Sequence, residues 1–260
     1  MTIKSSGNKK YSILAIIPAR GGSKGIKDKN VRLVNGIPLI CHTIRLLKSI
    51  KFIDNSIVST DSKKIKNISI KNGIEVPFLR PKYLSGDNVA DMPVLQHALK
   101  NCEANYKKKF DIIVMVQGDE PMVNPQMITE SLSPFFKNKN NTHVVNLLGK
   151  FESKKEFLDK NCIKVICDDK MNAKYFTRNL PLKFYNQSNK LLGKQVCIIP
   201  FSRSMLFKYI KLMPTFFEIK ESVDMWRLLE NSLEVKMVPT SFKSYAVDTK
   251  RDLIKVSKIM

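Results

Sequence analysis

The sequence predicts an α/β protein: a Rossmann-like, mostly parallel sheet flanked by helices. Short apolar runs alternate with amphipathic stretches over the first half of the 260 residues, which is the rhythm of βαβ units. Residues 112–116, Ile-Ile-Val-Met-Val, are continuously apolar, as expected of a parallel strand covered on both faces. Ligands of such sheets collect at the carboxyl ends of the strands.

The predicted elements follow in chain order. Residues 1–10 are polar and lack the apolar stretch of a signal peptide, so we expect a flexible N-terminus. The first half then predicts strands at 13–18, 56–59 and 111–116, and helices at 39–50, 62–72 and 92–105.

The middle of the chain is less regular. It predicts strands at 144–148, 163–167 and 196–200, with a polar, lysine-rich segment around 184–194. The end returns to α/β order, with a helix at 223–229, a strand at 235–238 and a helix at 252–259. Because no linker or repeat interrupts the pattern, we expect one domain over residues 11–260, in which about 146–200 form an excursion.

Composition narrows the class of protein. The formal net charge is +22, but the lysines are scattered along the chain. We therefore expect solvated faces that help to attract small anionic substrates, and no nucleic acid partner. No apolar run is long enough to span a membrane. The five cysteines form no Cys-x-x-Cys pair, which favours a reducing, cytoplasmic compartment.

The loop after the first predicted strand is the richest in chemistry. Positions 18–25 read Pro-Ala-Arg-Gly-Gly-Ser-Lys-Gly. Glycines let a backbone approach a ligand closely, and the cations suit phosphates. The order matches neither the P-loop nor the dinucleotide fingerprint. The loop therefore indicates a mode of nucleotide binding that differs from both of these motifs.

Two acidic strand ends could hold a divalent cation. Asp119 and Glu120 follow the central predicted strand, and successive side chains diverge, so Asp119 is the better ligand candidate. Asp248 follows a second apolar run. The alternatives are an acidic turn at the first position and a helix cap by Asp248 or Thr249 at the second.

Two other cations also invite a functional reading. Arg80 lies in a loop rich in proline and glycine, which could equally be a surface crossover. Lys164 lies inside a predicted strand, where a cation needs a partner, an anionic ligand or an exposed edge position. The three histidines and Trp226 are read as packing or surface residues.

Taken together, these motifs resemble the CTP-dependent cytidylyltransferases that activate 2-keto-3-deoxy sugar acids. The opening loop and Phe-Leu-Arg-Pro-Lys-Tyr-Leu at 78–84 are similar to acylneuraminate (CMP-sialic acid) synthetases. Four later motifs resemble 3-deoxy-manno-octulosonate (Kdo) cytidylyltransferases: Gln-Gly-Asp-Glu-Pro at 117–121, Asn-Cys-Ile-Lys-Val-Ile at 161–166, Tyr-Phe-Thr-Arg at 175–178 and Val-Asp-Thr at 247–249.

The resemblance implies roles for individual residues. The CTP phosphates would be held by Arg20, Gly22, Ser23, Lys24 and Lys29. Cytosine and ribose would lie near Asn30, Arg80, Ser85 and Gly86. Asp119 and Asp248 would bind Mg²⁺, and with Arg20, Lys24 and Lys29 they would form the catalytic set. The sugar acid would face Gln117, Lys164 and Gln195, with Glu218 or Glu221 nearby.

The implied reaction is attack by the anomeric hydroxyl of the sugar acid on the α-phosphorus of CTP, with pyrophosphate leaving. An eight-carbon acid of the Kdo type is favoured, because the Kdo-like motifs lie in the part expected to contact the sugar. The alternatives are an amino-substituted Kdo and a nine-carbon sialic-type acid. From other classes, a basic nucleic-acid-binding protein and an inactive interaction protein stay open. The resemblance also implies a fold of the nucleotide-diphospho-sugar transferase type and a homodimer, with the excursion reaching toward the partner.

Overall fold

The computed structural model describes residues 11–23, 25–87, 89–137, 142–186 and 189–260. The N-terminal segment predicted to be flexible and the candidate phosphate ligand Lys24 lie outside these residues. The chain forms two compact units. The first unit covers Lys10–Gln126 and Ser244–Met260, and the second covers Met127–Lys243. The single domain stays a prediction, and the unit that contains the expected excursion at 146–200 is larger than that segment.

The first unit contains the predicted βα repeats. Its elements up to the central strand are β1 (Ile13–Pro18), β2 (Leu33–Val34), β3 (Ile37–Pro38), α1 (Leu39–Ser49), β4 (Asn55–Ser59), α2 (Lys63–Lys71), α3 (Asp91–Tyr106) and β5 (Ile112–Val116). Short 3₁₀ turns occur at Lys29–Val31 and Lys82–Leu84. A C-terminal helix, Lys250–Ile259, completes the unit.

The sheet of the first unit is parallel. Strand β1 lies between β5 and β4, so that Ile16 pairs with Met115 on one side and with Ile57 on the other. Strand β5 is completely buried along its length, which explains its unbroken apolar sequence. The predicted fold class, a parallel-rich sheet flanked by helices, is confirmed.

The C-terminal segment returns to the turn that follows β5. The Val247 amide donates to the carbonyl of Asp119 at 2.9 Å, and the Ser244 hydroxyl donates to the buried Glu120 carboxylate at 2.6 Å. Five buried apolar side chains also pack together here: Ile26, Val34, Leu39, Val247 and Val256. Residues more than 120 positions apart are thereby held side by side.

The second unit is built around a mixed sheet. Its elements are α4 (Pro125–Lys137), β6 (Val145–Gly149), α5 (Lys154–Leu158), β7 (Lys164–Cys167), β8 (Ala173–Thr177), β9 (Leu192–Val196), β10 (Ile198–Ser202), α6 (Arg203–Lys211), α7 (Phe216–Glu221), α8 (Met225–Glu230) and β11 (Lys236–Pro239). The strand order is β11-β6-β9-β7-β8. Strand β11 is parallel to β6, and the other pairs are antiparallel.

The prediction for residues 184–200 was wrong in its strand bounds. Most of β9 lies in the segment read as polar and lysine-rich, and the predicted strand at 196–200 is the end of β9 followed by β10. The physical reason is Lys194, whose ammonium is buried and donates to Glu156 at 2.6 Å. A paired lysine can occupy a buried strand position that its charge alone would exclude.

Over the described ranges, none of the helices has the length and apolar character needed to cross a membrane.

Candidate functional site

A pocket of about 310 Å³ opens in the first unit, beyond the ends of β1 and β5. This is the edge where a parallel sheet is expected to bind ligands. The pocket collects nine of the residues that the sequence singled out: Arg20, Ser23, Lys29, Asn30, Arg80, Gly86, Gln117, Asp119 and Asp248. Gly22 and Ser85 belong to the same two loops, although they do not line the cavity itself.

The glycine-rich loop after β1 is fixed at its start. The Gly21 amide donates to Asp61 at 2.8 Å, and the Arg20 guanidinium forms an ion pair with Asp87 at 2.6 Å. The Asn30 amide nitrogen donates back to the Arg20 carbonyl at 3.2 Å. The start of the loop that carries the candidate phosphate ligands is therefore held in place by contacts within the protein.

Two glycines permit close backbone approaches around the pocket. A Cβ at Gly118 would lie 3.1 Å from Asn30 Oδ1 and 3.3 Å from Ile17. A Cβ at Gly25 would collide with the carbonyl oxygen of Asp248. A side chain at either position would push the surrounding loops apart.

Lys29 lies between the two candidate metal ligands. Its Nζ donates to Asp119 Oδ2 at 2.6 Å and to Asp248 Oδ1 at 3.0 Å, and its side chain is 13% exposed. Burial by itself lowers the pKa of Lys29, but the charges and hydrogen bonds of the two aspartates outweigh burial and raise it. Lys29 is therefore a permanent ammonium at neutral pH.

The second oxygen of Asp119 is unused. Asp119 Oδ1 is buried and has no hydrogen-bond partner among the described residues. The predicted alternative role of Asp248, a helix cap, is filled by Thr249, whose hydroxyl accepts from the Asp252 amide at 3.3 Å. Asp119 thus has an oxygen available, Asp248 lines the same pocket, and carboxylate oxygens are the ligands that Mg²⁺ prefers.

Arg80 forms part of the pocket wall. It is buried, and its guanidinium donates to the Ser59 carbonyl, to the Ser59 hydroxyl at 3.3 Å and to the Leu84 carbonyl at 3.4 Å. Burial lowers the pKa of Arg80. Its hydrogen bonds join the end of β4 to the loop that carries Ser85 and Gly86.

Sequence reasoning missed two carboxylates in the pocket, Asp87 and Asp91. Burial raises the pKa of Asp91, while the nearby charge of Arg80 and a hydrogen bond from Gln117 lower it. A signal was available for both residues. Asp87 follows Ser85-Gly86, and Asp91 opens the first turn of α3, a position that favours acidic side chains.

Lys164 lies inside the second unit. It is completely buried, and its ammonium donates to the carbonyls of Asp159, Cys162 and Arg178 at 2.6, 2.8 and 2.9 Å. The alternative of an exposed edge position is therefore wrong, since β7 also pairs with a strand on each side. The predicted contact of Lys164 with a sugar acid stays a prediction.

The other sugar-acid candidates in the second unit are also engaged. Gln195 donates to Asn146 at 2.7 Å, and its predicted role toward the substrate stays a prediction. Glu218 is buried and forms a two-point ion pair with Arg227 at 2.5 and 2.6 Å. Glu221 accepts from the Arg178 amide at 2.8 Å. The two glutamates thus differ in their partners.

The predicted strand before Asp248 is wrong, since this residue lies in an irregular segment between β11 and the C-terminal helix. The fold and the pocket together define a class: a nucleotidyltransferase whose cationic glycine loop faces Asp119, just after β5, and Asp248. The chain belongs to the cytidylyltransferase family, whose model matches residues 14–237. It is thus an enzyme that uses CTP, and the resemblance noted from the motifs is confirmed.

Individual relatives agree with this assignment. The chain is 31% identical to the 3-deoxy-manno-octulosonate cytidylyltransferase of Pelobacter propionicus over 94% of this chain and 95% of the relative. It is 31% identical to the enzyme of that name from Trichlorobacter lovleyi, over 95% and 98%. A solved CMP:2-keto-3-deoxy-manno-octonic acid synthetase, complexed with CTP, shares the fold with a TM-score of 0.81 at 23% identity, covering 96% of this chain and 98% of that one.

Proposed function

We propose that this enzyme transfers CMP from CTP to the anomeric hydroxyl of 3-deoxy-manno-octulosonate (Kdo), with release of pyrophosphate. The observation that carries the proposal is the cluster of Lys29, Asp119 and Asp248 in the pocket of a chain that belongs to the cytidylyltransferases. The Kdo acceptor is supported by the relatives that are similar over nearly the whole chain.

The phosphates of CTP would be bound by the glycine-rich loop. Arg20, Ser23 and Lys29 line the pocket, and the predicted roles of Gly22 and Lys24 belong to the same loop. Phosphoryl chemistry of this kind depends mainly on placement and on charge stabilisation. Lys29 would offset the negative charge that develops on the leaving pyrophosphate.

The base and ribose would lie against the other side of the pocket. Asn30 and Arg80 are both buried, and each is held by hydrogen bonds to backbone carbonyls. Gly86 also lines the pocket, and Ser85 precedes it in the same loop. Cytosine is smaller than a purine, so a tight loop with backbone contacts would favour it.

Asp119 and Asp248 would hold Mg²⁺, since they offer carboxylate oxygens on one side of the pocket and leave the remaining positions to phosphates and water. When bound, Mg²⁺ polarises phosphate oxygens and orients the acceptor hydroxyl. The chain's own contribution is to fix the two carboxylates. Asp119 is anchored by the hydrogen bond from Val247 to its carbonyl, and Asp248 by the approach of Gly25.

Gln117 is the proposed contact to the sugar acid in the first unit, since it lines the pocket beside Asp119 and an amide can donate to a carboxylate. We also propose that the enzyme is a homodimer. Sedimentation at micromolar concentration tests this, and a monomer would contradict it. The free thiols suit a reducing compartment, so we place the reaction in the cytoplasm.

The test is a panel of sugar acids assayed for pyrophosphate release with CTP and Mg²⁺. Kdo is expected to give the highest kcat/KM, and EDTA is expected to stop the reaction. The loop at 17–26, which resembles that of acylneuraminate enzymes, makes nine-carbon acids the second candidates. A preference for one of those acids would replace Kdo as the acceptor, and no release with any acid would contradict the proposal.

A further inference from the structure

Lys29 occupies the position between two carboxylates that a divalent cation would take in the proposed reaction. We propose that the Lys29 ammonium takes the place of the metal ion until the metal binds. It keeps Asp119 and Asp248 in position, and it moves away from them when the metal arrives. The inference deepens the proposed function and rests on its assignment of the metal to these two residues. Lys29 would first position the two aspartates and would then bind a phosphate.

Lys29 lies between two like charges. Asp119 and Asp248 are brought within reach of one ammonium at 2.6 and 3.0 Å. Two carboxylates so close repel one another, and a positive charge placed between them offsets that repulsion. Lys29 thereby holds the two side chains in position.

The ammonium of Lys29 leaves one carboxylate oxygen of the site without a hydrogen-bond partner among the residues that the structure describes. It contacts Asp119 through Oδ2, while the buried Oδ1 of the same carboxylate has no partner in the described part of the chain. A divalent cation that keeps several waters can satisfy such an oxygen directly or through water. The single ammonium does not.

Lys29 would move toward the phosphates when it leaves the two aspartates. Its ammonium is carried on a flexible four-carbon stem, and it lines the same pocket as Arg20 and Ser23. Arg20 is likewise paired with a carboxylate, that of Asp87. When metal and triphosphate bind together, the metal would replace Lys29 at the two aspartates, and both cations would move from a carboxylate to a phosphate.

A direct consequence is that Lys29 weakens metal binding when no nucleotide is present. The test is titration of the full-length protein with Mn²⁺ alone, with free Mn²⁺ measured by electron paramagnetic resonance. We expect Lys29→Met to bind one Mn²⁺ about tenfold more tightly than the wild type, a factor that corresponds to ~1.4 kcal/mol. Lys29→Arg keeps the charge and is expected to retain the weak binding of the wild type.

Two controls locate the effect. Lys64→Met removes a lysine from an exposed ion pair with Asp28 and is expected to leave Mn²⁺ binding unchanged. The double variant Lys29→Met with Asp119→Asn is expected to lose the tight site. If Lys29→Met does not fold, as judged by circular dichroism, Lys29→Gln takes its place with the same expectation.

Equal or weaker Mn²⁺ binding by the folded Lys29 variant would overturn the inference, as would tight binding that survives Asp119→Asn. The measurement contains no CTP and no sugar acid, so it fails independently of the proposed function. Tight Mn²⁺ binding in a protein that releases no pyrophosphate would contradict the function alone. Pyrophosphate release without the Mn²⁺ effect would contradict the inference alone.

Discussion

The pocket of the first unit and the interior of the second unit hold cations in opposite ways. Lys29 donates to two carboxylates that line an open pocket, whereas Lys164 is completely buried and donates to three backbone carbonyls. The partners of Lys29 can be exchanged for a ligand. Those of Lys164 are backbone groups that close around a buried side chain.

A second pair of cations follows the same division. Arg20 and Asp87 are about one-third exposed, at 30% and 33%, and lie in the pocket. Arg227 and Glu218 are 9% and 7% exposed, and the ring of Tyr209 lies 4.5 Å from the guanidinium. Charge alone therefore does not tell a ligand-binding cation from a structural one. A cation with accessible partners is expected to bind a ligand, and a cation with enclosed partners is expected to stabilise the fold.

The largest effect is expected at the buried ion pair. Arg227→Met leaves the Glu218 carboxylate buried and unpaired, which costs about 3–5 kcal/mol in unfolding free energy. Urea denaturation measures the loss. Arg251→Met, on the exposed surface of the C-terminal helix, is the matched control and should change stability little. If the urea midpoint of Arg227→Met equals that of the wild type, the buried ion pair does not have the structural role given to it here.

Lys29→Met comes next, and its effect should appear in catalysis. Loss of one cation that stabilises developing charge lowers kcat/KM by about 10²–10³-fold. Steady-state pyrophosphate release with CTP and Kdo measures this, and urea denaturation should show a smaller loss of stability than in Arg227→Met. Turnover within threefold of the wild type would remove Lys29 from the reaction.

Lys164→Met should show the reverse pattern. Three backbone carbonyls lose the donor that they share, so the expected destabilisation is about 2–3 kcal/mol. Turnover per folded molecule should stay within a few-fold of the wild type. A folded Lys164→Met protein with strongly reduced activity would return this residue to the site that the sequence suggested for it.

The smallest effect is a difference in pH dependence between the two lysines. The pKa of Lys29 is raised in the folded protein, so its contribution to stability is complete below about 10.4, the unfolded value, and is lost at higher pH. Burial lowers the pKa of Lys164, so the unfolded chain holds its proton more tightly and stability rises as pH approaches that value. The stability gap between wild type and each Met variant, followed from pH 8 to 11, should narrow for Lys29 and widen for Lys164.

Much of the first unit could be predicted from sequence, because its signals are local. The apolar run at 112–116 is a buried strand, and the glycine-rich loop follows β1 as expected. The contact of Lys29 with Asp119 and Asp248 could not be predicted in the same way. It joins residues 90 and 219 positions apart, and only the folded chain brings them together.

The second unit was harder to predict, because its polar residues are buried. Lys164 and Lys194 lie in adjacent strands, each paired inside the protein, so their charges suggested a ligand or a surface. The partners of Lys164 are backbone carbonyls, which leave no trace in the side-chain pattern. Burial of a lysine by backbone acceptors can therefore be recognised only from the structure.

The most direct test of this division compares one carboxylate from each region. Pyrophosphate release and urea denaturation should be measured side by side for Asp119→Asn and Glu218→Gln. We expect Asp119→Asn to keep its fold and lose turnover, and Glu218→Gln to lose stability while each folded molecule remains active. The opposite result, an active Asp119→Asn or an inactive but stable Glu218→Gln, would contradict the placement of the chemistry in the pocket of the first unit.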